Sequence, residues 1–292
     1  MREVDITKHH KERNSVVVSS YFSGKVDPQR NEFIDSSSFL YMKNWYESIN
    51  RLNLKALIFY DIASQEFIQT YSTRNIIFIK CNLGPYSIND ERFFLYHEYF
   101  SINKYEYILF TDISDVSILR NPFSFLKKNH DKICIGSDRY PRIYNSPWFL
   151  RKMLPLIMNK NIGVSLDFYF NKMFNAGVIG GSYDNINQLL KDMIRLFCCI
   201  DNNDNNDMQV LNLVLYRKQK EKPANSSISL IWNRLFIKTM LKVFRFYPNL
   251  NRYWISKNVN KPFSSSLVVS GYPFTNMFGS FQADKNIYIK HK

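Results

Sequence analysis

The sequence predicts an α/β fold with a mostly parallel central sheet flanked by helices. Apolar strand-like runs alternate with stretches of helical periodicity, and the run 107–116, YILFTDISDV, ends on two carboxylates, Asp112 and Asp115. A continuous apolar strand is typical of a buried sheet, and ligands of open α/β sheets collect at the carboxyl ends of the strands. With 292 residues, 45% of them hydrophobic, the chain can bury a sizeable core as one large domain or two small ones.

The first half of the chain supplies most of the predicted sheet. Short β-rich runs predict strands at 15–20, 56–60, 76–80 and 132–136, and Gly24 and Pro28 mark a loop after the first of them. Helical spacing of apolar residues predicts helices at 38–52 and 89–100, the second with Asn89 as its N-cap.

In the second half of the chain, predicted strands and helices alternate less regularly. The stretch 138–173 is aromatic and basic and contains Pro141, Pro147 and Pro155, which favours an irregular acceptor or partner surface. A short strand at 175–181, helices at 187–199 and 230–246, and a final strand at 286–290 followed by His291 are then expected. An Asn/Asp-rich loop lies at 201–207.

The net charge and the cysteine content indicate which kinds of binding partner and which cell compartment the sequence favours. The net charge of +14 favours a polyanionic partner, but the basic residues are scattered, so nucleic acid is not expected, whereas contact with an anionic membrane surface stays open. The four cysteines show neither zinc-site nor disulfide spacing and indicate buried thiols in a reducing compartment. Because no apolar run approaches a membrane span, a soluble, cytoplasmic chain is expected.

The acidic pair at the end of the 107–116 run predicts a metal site. Carboxylate oxygens suit Mn²⁺ or Mg²⁺, ions that are commonly held by one or two carboxylates together with substrate phosphates. The alternative is a loop aspartate that caps the next turn.

Four segments in order, FTDISDV, FNAGVIGG, NDMQVLN and the terminal YIKHK, resemble nucleotide-sugar-dependent glycosyltransferases of the GT-A fold, the group of glycogenin and the bacterial lipopolysaccharide galactosyltransferases. The resemblance implies a single Rossmann-like GT-A domain over 15–292 after a polar tail, 1–14. Its nucleotide-binding half would span about 15–137 and its acceptor and sugar half about 138–292. It also implies a hexosyltransferase that uses a UDP-sugar and Mn²⁺, with a glycan, protein or lipid acceptor.

The resemblance also implies roles for individual residues. Asp112, Asp115 and His291 would bind the metal, although the acids are spaced D-x-x-D where the family has D-x-D. The residues implied to contact the donor are Arg92, Asn175, Ala176, Gly177 and Lys290.

Two acids are candidates for roles at the reacting sugar. Asp207 matches the start of the family's D-Q-x-x-L-N segment, in which Met208 replaces Gln, and Asp138 follows the predicted strand 132–136.

Milder interpretations stay open for these residues. Asp207 could be a helix N-cap, Asp138 a pocket-lining residue, and Asn175 to Gly177 a glycine-containing strand edge. Arg92 could lie on a solvated helix face and His291 in a frayed tail.

Two other function classes also stay open. A metal-dependent phosphodiester hydrolase would use clustered acids to bind its metal, and the positive net charge would suit its polyanionic substrate. A non-catalytic sugar- or partner-binding relative could have lost metal binding through the altered spacing of the acids.

Overall fold

An eight-stranded sheet forms the centre of the computed structural model, which describes residues 15–138, 140, 142–158, 162–200, 203–217, 227–246, 266–269, 272–275, 279–280 and 288–291. The predicted tail, 1–14, lies outside the described residues. The strands are β1 Ser15–Tyr21, β2 Val26–Asp27, β3 Glu32–Phe33, β4 Ala56–Tyr60, β5 Ile76–Lys80, β6 Tyr107–Thr111, β7 Val116–Ile118, β8 Ile133–Ser137, β9 Phe174–Ser182, β10 Ser266–Val269, β11 Tyr272–Thr275, β12 Gly279–Ser280 and β13 Ile289–His291.

Helices separate and flank these strands. They are α1 Phe39–Arg51, α2 Gln65–Tyr71, α3 Ile88–Ile102, α4 Phe123–Lys128, α5 Pro147–Met158, α6 Tyr183–Phe197, α7 Asp207–Arg217 and α8 Ser227–Phe246, with short 3₁₀ helices at Ile143–Asn145 and Leu166–Phe170. Among the described residues, no helix combines the length and the apolar character that crossing a bilayer requires.

The sheet order is β10-β11-β8-β9-β6-β1-β4-β5. The neighbours β5, β4, β1 and β6 run parallel, as do β8 and β11, whereas β9 is antiparallel to both β6 and β8. Strand β6 is buried throughout because strands cover it on both edges and helices on both faces. The predicted α/β class, with a mostly parallel central sheet flanked by helices, is confirmed.

Helix α1 is fastened to the end of β6. Its buried residues Met42, Trp45 and Ile49 follow helical spacing. The Trp45 indole N–H donates to Thr111 Oγ1 at 2.7 Å, and the Ser19 hydroxyl donates to the Thr111 carbonyl at 2.7 Å. Thr111 is therefore held by α1 and by β1, and this fixes the point at which the chain leaves the sheet.

The loop after β1 is fixed by a buried carboxylate at the end of β4. Asp61 accepts backbone N–H bonds from Ser23 and Gly24, both at 2.8 Å. The predicted loop is thus tied to the carboxyl edge of the sheet, where β2 and β3 form a short hairpin.

Several local predictions were wrong. Helix α3 begins at Ile88, and the side chain of Ser87, not Asn89, caps it. The stretch predicted to be irregular contains α5, in which Pro155 is accommodated and five apolar side chains are buried: Phe149, Leu150, Met153, Leu156 and Ile157.

The last strand and one thiol also differ from expectation. Strand β13 begins at Ile289 and includes His291, whereas residues 286 and 287 of the predicted strand lie outside the described residues. Cys81 and Cys134 are buried as expected, whereas Cys198 is exposed, and all four cysteines are free thiols. The sequence reasoning passed over α2 and α4, which are only seven and six residues long.

Candidate metal site and adjoining cavity

Asp112, Asp115 and His291 meet at the carboxyl end of β6. Each offers a ligand atom, and these atoms lie within 4.8 Å of one another. Asp112 directly follows β6, the chain turns through Ser114, and Asp115 directly precedes β7. Because β13 pairs antiparallel with β7 and places His291 opposite Val116, the histidine arrives beside both acids.

His291 is an ordered strand residue here, not a frayed end. It is buried, and its Nε2 atom lies 3.7 Å from Asp112 Oδ2 and 3.6 Å from Asp115 Oδ2. Burial acts to lower the pKa of His291, but the Asp115 and Asp112 carboxylates outweigh burial, and the net pKa is raised above its ordinary value. The two carboxylates therefore favour the protonated form of the His291 imidazole.

The three side chains fit a divalent cation. Two carboxylates and an imidazole are a donor set that suits Mn²⁺. Asp115 Oδ1 is buried and has no hydrogen-bond partner among the described residues. The backbone of Gly177 leaves space beside the cluster, since a Cβ atom there would clash with Asp112 Oδ2 and lie 2.6 Å from His291 Cε1.

Arg92 lies behind the acidic cluster and joins two acids that are distant in sequence. Its guanidinium forms ion pairs with Asp112 and with Asp207, the latter at 2.9 Å, and its Nη2 also reaches the Ala176 carbonyl at 3.4 Å. The interpretation of Arg92 as a solvated helix residue was wrong, because the side chain is buried. Burial acts against its charge, but the two acids outweigh burial and raise the pKa of Arg92.

Arg92 affects the two acids differently. Burial acts to raise the pKa of Asp112, but Arg92 and His291 together hold it below its ordinary value. Burial raises the pKa of Asp207 to about 6, with a further increase from Asp112 and a partial decrease from Arg92. Asp112 is thus fully ionised at neutral pH, and Asp207 titrates much closer to neutrality.

A cavity of about 450 Å³ opens beside the cluster. Its volume is in the range of small-molecule sites. It brings together most of the predicted site residues, namely Asp112, Asp115, Asp138, Asn175, Ala176, Gly177, Asp207 and His291. The other described residues that line it are Pro28, Gln29, Tyr140, Ser146, Trp148, Lys152, Met173, Asn205 and Met208.

Polar contacts order the wall formed by β9. The Asn175 amide donates to Asp138 Oδ2 at 3.2 Å, and its carbonyl oxygen accepts the Gly177 backbone N–H at 2.6 Å. Asp138 also accepts the Tyr140 backbone N–H at 3.0 Å. Asp138 and Asn175 therefore form one hydrogen-bonded unit at the cavity.

Helix α7 is clamped to the same strand. Asn212 accepts the Phe174 backbone N–H at 3.0 Å and donates to the Phe174 carbonyl at 2.9 Å, so one side chain satisfies both backbone groups. Met208, which replaces the glutamine of the motif, accepts the Ala176 N–H through its sulfur at 3.2 Å.

At the start of α7, the Asp207 carboxylate accepts the Met208 backbone N–H at 2.7 Å as well as the hydrogen bond from Arg92. The Asp207 side chain therefore accepts a backbone hydrogen bond at the start of α7 and also lines the cavity.

Two predicted donor contacts lie outside this cavity. Lys290 is paired with Ser117 and alternates in exposure with its buried strand neighbours, so it is on the opposite face of β13 from His291. Arg92 instead borders a second, smaller cavity of about 40 Å³, which shares Asp112, Asp115 and Gln29 with the first.

Sequence reasoning missed several residues around the cluster. Arg30, on the β2–β3 hairpin, pairs with Asp27 at 2.5 Å and donates to Ser114 Oγ at 3.2 Å, so it borders the acidic loop. Trp148 and Lys152 reach the larger cavity from α5, which was predicted to be irregular. The clue available in the sequence was the spacing of apolar residues at 149, 150, 153, 156 and 157, which the prolines obscured.

Comparisons with known proteins identify no close relative. No protein-family model matches the chain, and no curated protein matches it in sequence. A solved structure of an active-site variant of LgtC, a GT-A lipopolysaccharide galactosyltransferase, aligns with 68% of this chain and 69% of its own, at 14% sequence identity and a TM-score of 0.41. The functional argument therefore rests on the site itself.

Proposed function

We propose that this protein is a metal-assisted glycosyltransferase that moves a sugar from a nucleoside-diphosphate sugar to an acceptor hydroxyl. The observation that carries the proposal is the convergence of Asp112, Asp115 and His291 in the lining of a cavity large enough for a sugar. The order of the motifs along the chain supports the same conclusion.

In this proposal Asp112, Asp115 and His291 hold Mn²⁺ or Mg²⁺. The ion would supply charge neutralisation for the diphosphate leaving group. Because His291 must lose its proton to bind a metal, its raised pKa makes binding compete with protonation. Binding of the metal ion would therefore release the proton from His291.

The donor sugar would lie against Asn175, Ala176 and Gly177. All three line the cavity, and the Gly177 backbone lets a ligand come close to Asp112. Arg92 would act mainly by holding Asp112 and Asp207 in place, since its Nη1 and Nη2 atoms each pair with one of these carboxylates. Lys290 would reach a diphosphate only from the rim, given its position on the opposite face of β13.

Asp207 and Asp138 are the carboxylates proposed for the reacting sugar. Asp207, with a pKa of about 6, is ionised at neutral pH and can take a proton from an acceptor hydroxyl or stabilise positive charge on the sugar. Asp138 orients Asn175 and presents a second carboxylate to the same cavity. If configuration is retained, the leaving phosphate can take the acceptor proton instead.

The test is calorimetric titration of UDP and GDP with and without Mn²⁺. The native chain is expected to bind a nucleotide only with Mn²⁺, and Asp112→Ala with Asp115→Ala is expected to abolish that binding. Asp131→Ala with Asp184→Ala is the matched control, because it removes two acids that are exposed and outside the site.

Each result has a definite meaning. Binding that is lost only in the site variant would support the donor site and lead to a screen of nucleotide sugars for transfer. Absence of nucleotide binding to the native chain would contradict the proposal and favour the non-catalytic relative. In a separate activity assay, hydrolysis of a phosphodiester without sugar transfer would favour the hydrolase instead.

A further inference from the structure

Helices α5 and α8 and the adjoining 3₁₀ helix expose several large apolar side chains. Trp148 on α5, Phe170 in the adjoining 3₁₀ helix, and Ile231, Trp232, Leu235 and Phe246 on α8 are all exposed large hydrophobic residues. These elements pack on each other, with the Phe236 ring 5.0 Å from that of Tyr169 and 5.7 Å from that of Phe170. We call this surface the α5–α8 face.

The exposed side of α8 combines these apolar residues with positive charge. Arg234, Lys238, Lys242 and Arg245 are exposed and follow the spacing i, i+4, i+8, i+11, which places them in one stripe. Ile231 and Leu235 lie beside that stripe, being 64% and 51% exposed. Asn233 and Ile237 face the other way and are buried.

Acidic residues are absent from both helices, and the adjoining 3₁₀ helix contributes one, the exposed Asp167. The sequences of α5, PWFLRKMLPLIM, and α8, SISLIWNRLFIKTMLKVFRF, contain no Asp or Glu. A second copy of this chain would meet the same positive stripe and be repelled. A nucleic acid would match the charge but would leave the aliphatic side chains in water.

We propose that the α5–α8 face docks on the surface of an anionic phospholipid bilayer. Basic residues flanking an exposed apolar stripe are the pattern of a helix that lies in the membrane interface, where the charges pair with lipid headgroups and the apolar residues enter the acyl boundary. Trp is favoured at that depth because one end of its ring is apolar and the other polar. The net charge of +14 adds a long-range attraction to the same surface.

Docking through α8 would bring α5, which packs against α8 and lines the cavity, toward the lipid. Trp148 belongs to the α5–α8 face and also lines the large cavity, as does Lys152 one turn further along α5. This consequence rests on the proposed function: an acceptor hydroxyl carried by a lipid would reach the cavity along α5. Membrane docking itself does not depend on glycosyl transfer.

The test is co-sedimentation of the full chain with vesicles. Vesicles of phosphatidylcholine mixed with phosphatidylglycerol are expected to bind the protein, in a manner that weakens with salt, and pure phosphatidylcholine is not. Lys238→Glu with Lys242→Glu is expected to weaken binding by at least about 25-fold, taking about fivefold for each basic residue lost near the surface. Trp232→Ser with Leu235→Ser is expected to abolish the part of the binding that resists salt.

Matched controls alter charge and exposed apolar area elsewhere. Lys127→Glu with Lys128→Glu makes the same charge change on α4, and Phe33→Ser with Leu40→Ser removes two residues that are 65% and 78% exposed. The apolar control is expected to bind vesicles like the native chain, and the α4 charge control is expected to lose only the small part of the attraction that depends on net charge. Circular dichroism and Mn²⁺ titration, which must be unchanged in the α8 variants, separate a docking defect from loss of the fold or of the metal site.

Three results would overturn the proposal. They are no binding of the native chain to anionic vesicles, equal losses in the α8 variants and the controls, and a native dimer in sedimentation velocity that the α8 substitutions convert to monomer. The vesicle assay uses no nucleotide or sugar, so its failure is distinct from failure of the proposed function.

Discussion

The α-carbon of Gly177 lies so close to the carboxylate of Asp112 that even a methyl group between them would clash. The two residues are joined by a backbone hydrogen bond of 2.9 Å from the Asp112 N–H to the Gly177 carbonyl. Strand β9 thereby sets both the position of Asp112 and the open space in front of it. This relationship predicts that the space, as well as the ligands, is required for metal binding.

Gly177→Ala is expected to weaken Mn²⁺ binding at least tenfold, because the added Cβ would displace the Asp112 side chain and crowd His291. Loss of supporting geometry around a metal site typically costs about 10- to 100-fold in affinity. Isothermal titration with Mn²⁺ measures the effect. Gly181→Ala on the same strand is the control, since its nearest contact would be 3.3 Å, outside the site. Equal affinities for the two variants would contradict the role of Gly177.

Mn²⁺ affinity is expected to rise with pH until the pKa of His291 is passed. That pKa is raised by the two carboxylates, and coordination needs the neutral imidazole, so binding releases a proton below it. The affinity should rise by up to about tenfold per pH unit there. Titrations in buffers of different ionisation enthalpy count the released proton. His291→Ala should bind weakly with a flat pH profile, and His130→Ala, which changes an exposed histidine, should behave like the native chain.

Arg92→Met is expected to destabilise the protein by about 3 kcal/mol or more, because it leaves two acids without their shared cation, and Asp207 is deeply buried. Arg92→Lys should lie between, since an ammonium group cannot pair with both carboxylates through a planar fork. Urea unfolding measures the change. Arg195→Met, in which the exposed ion pair with Asp192 is lost, should cost under about 1 kcal/mol. A comparable loss of unfolding free energy in Arg92→Met and Arg195→Met would show that the buried ion pairs of Arg92 stabilise the protein no more than a surface ion pair does.

Asp207 is expected to make the protein less stable as pH rises from about 4 to 6. Its folded-state pKa of about 6 exceeds the ordinary value of 3.8, so the folded state binds the proton more tightly than the unfolded state over this window. The free energy of unfolding of the native chain, relative to that of Asp207→Asn, should therefore fall by about 2 to 3 kcal/mol between about pH 4 and about pH 6. Above about pH 6 the difference should stay constant. Chemical unfolding of both proteins across the window measures the difference. A difference that is constant with pH would mean that Asp207 has an ordinary pKa.

The sheet and the acidic end of β6 were predictable because their signals are local. A short continuous apolar run such as YILFT, rich in aromatic and branched residues, is typical of a strand buried inside a sheet, and two aspartates that follow such a strand are expected at the sheet's edge. Helices with regular apolar spacing, such as α1 and α6, were found for the same reason. Helix α5 was missed because Pro155 suggested a break, although packing of its apolar side keeps the helix intact.

The surroundings of each site residue could not be read locally. The sequence shows Arg92 as one more helical residue with acids nearby, and its burial between Asp112 and Asp207 depends on the packing of α7 against β9, which brings Asp207 to Arg92. Likewise, the split between a strongly ionised Asp112 and an Asp207 with a raised pKa results from burial, which only the packed structure defines.

By itself, the sequence determined the α/β class, the buried strand β6, and the residue types available for a metal site. The tertiary structure alone decided that His291 joins Asp112 and Asp115, because the antiparallel pairing of β13 with β7 brings the end of the chain to them. Local periodicity specifies which residues face a core, whereas the pairing of distant strands depends on the packing of the whole chain. The site therefore exists only once the sheets are assembled.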